Sequence, residues 1–335
     1  MSGLLSGLLA GGWPFLVGWV FPSVLSVAIF GAFIEANNQK ESLLSLLQLD
    51  AASQAVAVIL VAFGLALLLS AVQTQLYRLL EGYYFPTRLQ VARQNHHQQL
   101  RDGLKKKRDT VAKNFKIATK DSGQALRLGL LSERLRRYPD DSSQIAPTRL
   151  GNAIRAFETY GWHHFRLDSQ TLWYELTGVA PERTRADVER ARAGVDFFIA
   201  MVYLSALGGA VSIIVGFLRS GPALGLIVVG VTALCLISLW YELAVRSTDN
   251  WYQAMQALVN LGRKPLAESL NLVLPGTIEA EREMWQSVGW LIKERYNGQI
   301  STLLQPFSGA ALTVSPTPDG EPPLSDQQLQ QTLQR

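Results

Sequence analysis

Four long apolar stretches without a charged residue dominate the sequence. They cover residues 1–34, 51–77, 197–218 and 220–241. Each stretch supplies the roughly 20 apolar residues that a helix needs to cross about 30 Å of hydrocarbon. A buried helix of a soluble protein is the usual explanation for one apolar run of about 12 residues, but not for four runs of this length. The pattern therefore predicts an all-α integral membrane protein with four transmembrane helices.

The order of the apolar stretches predicts that the four spans form two hairpins. Residues 1–76 are expected to hold an N-terminal segment and the first hairpin, which turns through residues 37–50. Residues 195–244 are expected to form the second hairpin, which turns tightly through residues 218–222. Neither connection is long enough to form a folded domain of its own.

The polar parts of the chain are also predicted to be helical, because no run alternates between apolar and polar residues as a strand does. Residues 77–194 are expected to form a basic helical domain, and residues 245–297 to form helices that continue from the fourth span. Residues 298–335 contain much Pro, Ser, Thr and Gln, which is typical of a disordered tail.

Prolines and glycines place the ends of the predicted helices. We expect one helix to begin at Pro181 and to run unbroken into the third span. The fourth span is expected to continue to Leu261, with Gly262 as its C-cap and Pro265 just beyond it.

Composition and charge support the membrane assignment and give it a direction. Charged residues make up 17% of the chain, against roughly 25% in soluble domains. Of the 31 Lys and Arg residues, 22 lie in residues 77–194 and 7 in residues 245–335, whereas each connection within a hairpin holds one. Because Lys and Arg concentrate on the cytoplasmic side, we expect a multi-pass protein of the cell (inner) membrane with both termini in the cytoplasm.

The basic run at residues 105–108 does not require a nucleic acid as its partner. A basic helix held beneath a bilayer is attracted to the anionic lipids of the inner leaflet by about 1 kcal/mol for each residue near the surface. We therefore expect the lipid bilayer, and no nucleic acid, as the partner of this region.

The sequence carries no motif for catalysis or for a cofactor. Cys235 is the only cysteine, which excludes an intrachain disulfide and a multi-cysteine metal site. The four histidines form two adjacent pairs, and adjacent residues of a helix point about 100° apart, so neither pair alone suits one metal ion. A nucleophile with its base, a Gly-rich phosphate loop and a metalloprotease motif are absent from the sequence. We predict no enzyme, no cofactor and no metal site.

Small and hydroxyl-bearing residues recur along the third and fourth spans. In lipid, close approach of two helices depends on such residues, so a helix-packing seam is predicted at Gly208, Gly209, Gly216, Gly221 and Gly225. The hydroxyls of Ser205, Ser212 and Thr232 allow a second interpretation, in which they line a pore or vestibule.

Two carboxylates flank the second hairpin at nearly the same distance from its turn. These are Asp196 and Glu242, and each has an arginine one helical turn away, Arg192 and Arg246 respectively. They form either two ion pairs that anchor the helix ends or, in an oligomer, a ring of carboxylates at a pore mouth. Glu35 is the corresponding candidate at the other end. No ionisable residue lies in the middle of a span, which argues against an ion-coupled transporter.

A polar cluster in the basic domain is the candidate for a cytoplasmic ligand site. Its members lie close together on predicted helices: Arg149, Asn152, Arg155, Glu158 and Asp168. Arginines bind anions through paired hydrogen bonds, so the cluster indicates either a small anionic ligand or a salt-bridge network between helices.

Taken together, these features favour a homo-oligomeric channel or pore that is gated through its cytoplasmic helical domain. Long helices that join the second hairpin to this domain would transmit a cytoplasmic signal to the membrane. The alternative hypothesis is a non-conducting membrane scaffold or signalling adaptor that recruits a cytoplasmic protein partner.

Overall fold

The computed structural model describes residues 12–36, 51–117, 122–218, 224–293 and 303–309. In these ranges the chain forms helices joined by turns and short loops, with one isolated antiparallel bridge between Leu272 and Ser308. Four of the helices are long and apolar enough to cross a membrane. The structure therefore confirms the prediction of an all-α protein with four such helices.

The first two candidate spans are the helices α1 and α2. Helix α1 begins at Trp13 and contains three consecutive segments, Trp13–Phe15, the π-helical Leu16–Val20, and Phe21–Ala36. Helix α2 covers Ala51–Ala71. Three predicted parts of the chain lie outside the described residues. They are the N-terminal segment before residue 12, the two turns of the hairpins, one of which contains Gly221, and the tail beyond residue 309.

Three helices follow α2 and lead away from the spans. Helix α3 (Gln73–Glu81) comes after a break at Val72, and it ends at Gly82, whose φ of +89° suits a residue without a side chain. The basic helix α4 (Thr87–Ile117) packs against α5 (Ser122–Arg136).

The remaining helices comprise three short ones and three longer ones. The short helices are α6 (Arg149–Glu158), α7 (Tyr160–Phe165) and α8 (Trp173–Val179). The longer helices are α9 (Glu182–Leu218), α10 (Leu224–Ser269) and α11 (Ile278–Lys293). The most extensive helix–helix contact joins α9 and α10.

Helix α9 confirms the predicted unbroken helix between Pro181 and the third span, since it extends over 37 residues. The predicted end of α10 was wrong. Gly262 lies buried inside the helix. A Cβ at this position would come within 2.7 Å of Cδ1 of Leu176, so the missing side chain allows α8 to pack closely here. The helix continues through Pro265 and ends before Asn271, whose positive φ of 58° makes it the left-handed residue that terminates the helix.

The largest hydrophobic core begins at the ends of the apolar stretches and lies mostly beyond them, where α6, α7, α8 and α11 pack around one end of α9 and α10. Its fully buried side chains include Leu150, Leu176, Ile199, Met255 and Trp285. Burying an aliphatic or aromatic side chain of this kind stabilises a fold by about 1.5–3 kcal/mol. The ends of α9 and α10 are thus embedded in the helical region that the chain builds outside the spans.

Candidate functional site

Asp196 is a buried carboxylate that connects α9 to α3. The residue is 5% exposed, and its Oδ1 accepts hydrogen bonds from the Tyr77 hydroxyl at 2.6 Å and from Gln73 Nε2 at 3.0 Å. Gly18 of α1 closes the site, since a Cβ on this glycine would lie 2.9 Å from Cβ of Asp196. Its predicted partner Arg192 instead lies with its guanidinium 6.0 Å from the ring centre of Trp251. The carboxylate is therefore enclosed by its own chain.

Glu242 has different surroundings, because it connects α10 to α6. Arg149 Nη1 donates to its Oε2 at 2.5 Å and Nη2 to its Oε1 at 3.2 Å, while Arg246 Nε donates to Oε1 at 3.3 Å. The paired hydrogen bonds from Arg149 give this contact a defined geometry. The ion pair with Arg246 is the one predicted from helical spacing, and Arg149 is an additional partner from the predicted polar cluster.

The hydroxyl candidates for a pore lining do not share one surface. Ser205 and Ser212 are buried, and the Ser212 hydroxyl has no hydrogen-bond partner among the described residues. Thr232 is exposed on α10, where its hydroxyl donates to the carbonyl of Val228 at 2.8 Å. Glu35 lies at the end of α1, and its side chain is outside the described part of the chain.

The glycines of the predicted seam face several neighbours. A Cβ on Gly209 would lie 3.0 Å from the carbonyl oxygen of Gly230, whereas one on Gly208 would meet Phe30 of α1 at 2.5 Å. Gly216 faces Ile227 of α10, and Gly225 is exposed. Sequence reasoning missed Gly230, which lies in an otherwise apolar run and gave no signal beyond its small size.

The outward face of α10 collects small and polar side chains. Gly225, Thr232 and Cys235 are exposed, and Glu242 follows two turns beyond Cys235. With about 100° per residue, these four positions fall within roughly 100° of arc, which also contains the exposed side chains of Val228 and Leu239. We call the four positions the polar face of α10. Only 17% of the most apolar window of this helix is buried within the chain, so the described chain leaves this face uncovered.

The predicted polar cluster separates into distinct contacts. Asn152 is buried and anchors the loop before α6, because its side chain bonds to the N–H and the carbonyl of Ala146 and to the carbonyl of Thr148. Arg155 donates to Gln144 Oε1 and to the Tyr83 hydroxyl.

Asp168, the last member of the predicted cluster, lies in the segment before α8, which begins at Trp173. The Asp168 carboxylate accepts hydrogen bonds from the Gln170 and Thr171 amides and from Lys293 of α11. It therefore connects the turn before α8 to the last helix and lies apart from Arg149 and Asn152 in its contacts.

A cavity of about 470 Å³ lies where α3, α6, α9 and α10 meet. Its size falls within the range of about 300–1,000 Å³ that small-molecule sites have. The residues that define its chemistry are Tyr77, Arg78, Glu81, Glu158, Arg192 and Trp251. Of these, only Glu158 was a sequence-predicted candidate, because the cavity joins side chains from four separate parts of the chain.

Two carboxylates of this cavity are held away from water. Burial, followed by the negative charge of Glu158, raises the pKa of Glu81 to about 7, although Arg155 and Arg78 act in the opposite direction. Burial also raises the pKa of Glu158 above its usual value, against the effect of Arg155. Both carboxyl groups of the cavity therefore hold a proton more readily than a carboxyl group in water does.

None of the family models, curated proteins or solved structures compared with the chain matches it. Among the described residues, no group of three or more His, Cys, Asp or Glu side chains is arranged to hold a metal ion. The buried His97 lies 3.3 Å from the Tyr138 hydroxyl, and burial lowers the pKa of this histidine to about 4, so it is uncharged at pH 7.

Proposed function

We propose that the protein is a homo-oligomeric membrane channel whose pore is lined by the polar face of α10 and whose gate is controlled by a cytoplasmic helical domain. In this proposal α1 with α2 and α9 with α10 form two hairpins in the cell membrane. Residues 77–194 and 245–297 lie on the cytoplasmic side, as the distribution of Lys and Arg favours. Both termini lie on that side as well.

The polar face of α10 is the observation that carries this proposal. A helix that only faces lipid needs no polar side chain, whereas Thr232 and Cys235 share one exposed strip with Gly225 and lead to the carboxylate of Glu242. Several subunits arranged around an axis would bring these strips together. Hydroxyl groups and small residues suit the wall of a water-filled pathway. At its mouth the Glu242 carboxylate is paired with Arg149 and Arg246, so a movement of Arg149 would change the charge there.

The contacts of Glu242 support control by the helical domain. Helix α10 is continuous over 46 residues, so its membrane part and its part in the hydrophobic core move together. The ion pair with Arg149 at 2.5 Å attaches α6 to α10 at the end of the polar face. A displacement of α6 would change both the charge at the pore mouth and the position of α10.

Asp196, Ser205 and Ser212 have no part in the pore that we propose. Each is buried against other helices of the same chain. The hydrogen bonds of Asp196 to Gln73 and Tyr77 support a role in holding α9 against α3, which leaves α10 as the helix that faces the axis.

The single native cysteine gives a direct test. Purified protein in liposomes is assayed for ion flux before and after treatment with a charged, water-soluble methanethiosulfonate reagent, which reacts with thiols in contact with water. We expect the reagent to block flux, Cys235→Ala to be insensitive, and Thr232→Cys in the Cys235→Ala background to restore the block. Leu60→Cys in the same background is the matched control, because Leu60 of α2 is 65% exposed on the candidate lipid surface.

A non-conducting scaffold or adaptor is the second candidate function. The pair α4 and α5 supports it, since Leu126 is 66% exposed and Leu130 50% exposed on a helix that packs mainly on its neighbour α4. Such a surface suits docking of a cytoplasmic protein. Absence of flux from an intact oligomer, under all voltages and ionic conditions tested, would refute the channel and leave this function.

A further inference from the structure

In the membrane arrangement proposed above, the cavity between α3, α6, α9 and α10 lies at the level of the lipid headgroups. Arg78 is the first charged residue after the second apolar stretch, and Arg192 lies five residues before the third stretch. At 1.5 Å per residue, five residues of helix correspond to about 7 Å. The headgroup layer on each side of the hydrocarbon is roughly 5–8 Å thick. The exposed side chains of Tyr83 and Tyr84 at the edge of the cavity suit this layer.

Four charged side chains line this cavity without forming an ion pair. Arg78 and Arg192 have no hydrogen bond or salt bridge from their guanidinium groups among the described residues, and the carboxylates of Glu81 and Glu158 have none either. The nearby cation Arg155 is already engaged by Gln144 and Tyr83. Two positive and two negative groups are thus available to a ligand in one space.

The arrangement favours a ligand that carries both charges. A simple anion would suit the arginines but would be repelled by the two carboxylates, and a simple cation would meet the opposite difficulty. We propose that the cavity binds a zwitterionic phosphoethanolamine group, with its phosphate on Arg78 and Arg192 and its ammonium on Glu81 and Glu158. Arginine binds phosphate through paired hydrogen bonds, and a primary ammonium has three N–H donors for carboxylate oxygens.

The back wall of the cavity is held in place by contacts that do not involve the four charges. Tyr77 donates its hydroxyl to the buried Asp196, and its ring lies edge-on to Trp251 with 6.5 Å between ring centres. The indole N–H of Trp251 is buried and has no acceptor among the described residues. A preformed wall reduces the conformational entropy that a ligand must remove.

The same headgroup occurs in phosphatidylethanolamine and in free phosphoethanolamine. The position of the cavity favours the lipid, because the acyl chains of a bound phospholipid would then extend along the apolar surface of the spans. A choline headgroup carries the same two charges but has no N–H donor. Comparison of choline with ethanolamine therefore shows whether the carboxylates need hydrogen bonds from the ligand or only its positive charge. A glycerol headgroup keeps the phosphate and lacks the cation.

The test is native mass spectrometry of the delipidated full-length protein, titrated with phosphatidylethanolamine, phosphatidylcholine or phosphatidylglycerol. We expect phosphatidylethanolamine to bind roughly tenfold more tightly than phosphatidylcholine, the factor that one charge-assisted hydrogen bond supplies. The double variant Glu81→Gln/Glu158→Gln should remove this preference. The double variant Arg78→Gln/Arg192→Gln should weaken both lipids by roughly tenfold.

Matched controls come from two neighbouring residues of α9 that lie outside the cavity. Glu189→Gln and Arg190→Gln remove the same charges from exposed positions and should leave lipid binding unchanged. Thermal unfolding of every variant shows whether it is folded. If free phosphoethanolamine displaces phosphatidylethanolamine and binds as tightly as the lipid does, the cavity recognises the proposed group, but its ligand is a soluble molecule.

Two results would overturn the proposal. One is tighter binding of phosphatidylglycerol than of phosphatidylethanolamine, which would make the cavity a site for anions. The other is an unchanged lipid preference in a folded Glu81→Gln/Glu158→Gln variant. Binding is measured without ion flux, so the outcome is independent of whether the protein conducts.

Discussion

Replacement of Glu81 by glutamine tests the electrostatics of the cavity most directly. Glu81→Gln keeps the shape and the hydrogen-bonding capacity of the side chain but removes its charge. Burial and the neighbouring Glu158 raise the pKa of Glu81 from 4.5 to about 7 in the folded protein. The folded state therefore binds this proton more tightly than the unfolded state, and the resulting stabilisation is lost as the pH rises through about 7.

The magnitude follows from this difference in pKa. The difference between a pKa of 4.5 and one of about 7 corresponds to about 3 kcal/mol of unfolding free energy, at about 1.36 kcal/mol per pKa unit. Because Glu81 is partly exposed, solvent screening reduces this free energy to about 2 kcal/mol. At pH 8 the ionised Glu81 destabilises the folded state by that amount. Glu81→Gln should therefore raise the melting temperature by about 4 °C at pH 8. At pH 5, where Glu81 is protonated in the folded state, the gain should be close to zero.

The assay is thermal unfolding in detergent without added phospholipid, at pH 5 and at pH 8. Glu189→Gln on the exposed side of α9 provides the baseline for removal of one negative charge. A gain of equal size at both pH values, or no gain at pH 8 beyond that of Glu189→Gln, would refute the argument that Glu81 is ionised at a cost in the folded protein.

Three further predictions concern packing and buried polar groups, each measured by thermal unfolding. Gly230→Ala should destabilise the fold by about 1–3 kcal/mol, because its Cβ would lie 2.7 Å from the carbonyl oxygen of Gly209, whereas Gly64→Ala on α2 meets nothing within 4 Å and should be neutral. Glu281→Ala should remove about 3–5 kcal/mol, because it leaves Arg263 without the buried carboxylate at 2.5 Å; a loss below 1 kcal/mol would contradict this. Asn152→Ala should cost about 2 kcal/mol through three lost hydrogen bonds, and an unchanged melting temperature would show that water replaces them.

The elements whose length the bilayer dictates could be predicted from the sequence alone. A charge-free run of about 20 residues has one stable arrangement in hydrocarbon, a helix with all its backbone hydrogen bonds satisfied, so the four candidate spans could be predicted without knowing their neighbours. The unbroken helix α9 could be predicted for a similar reason, because no proline follows Pro181 until the span is complete.

The ends and the partners of these helices depended on tertiary structure. Glycine commonly ends a helix, but Gly262 lies within α10, where the absence of a side chain lets Leu176 pack closely against the helix. The helix ends instead before Asn271. Helical spacing could place Arg192 one turn from Asp196. It could not show that Tyr77 and Gln73, which come from a helix more than 100 residues earlier, occupy the carboxylate.

The cavity could not be predicted from the sequence, because it exists only in the folded protein. Its charged residues lie at positions 78, 81, 158 and 192, and no local pattern connects them. They meet because α3 and α6 pack beside α9 and α10 at the boundary of the apolar stretches. The raised pKa of Glu81 has the same origin, since it requires burial and the nearby charge of Glu158, and both are properties of the packed helices rather than of the sequence around position 81.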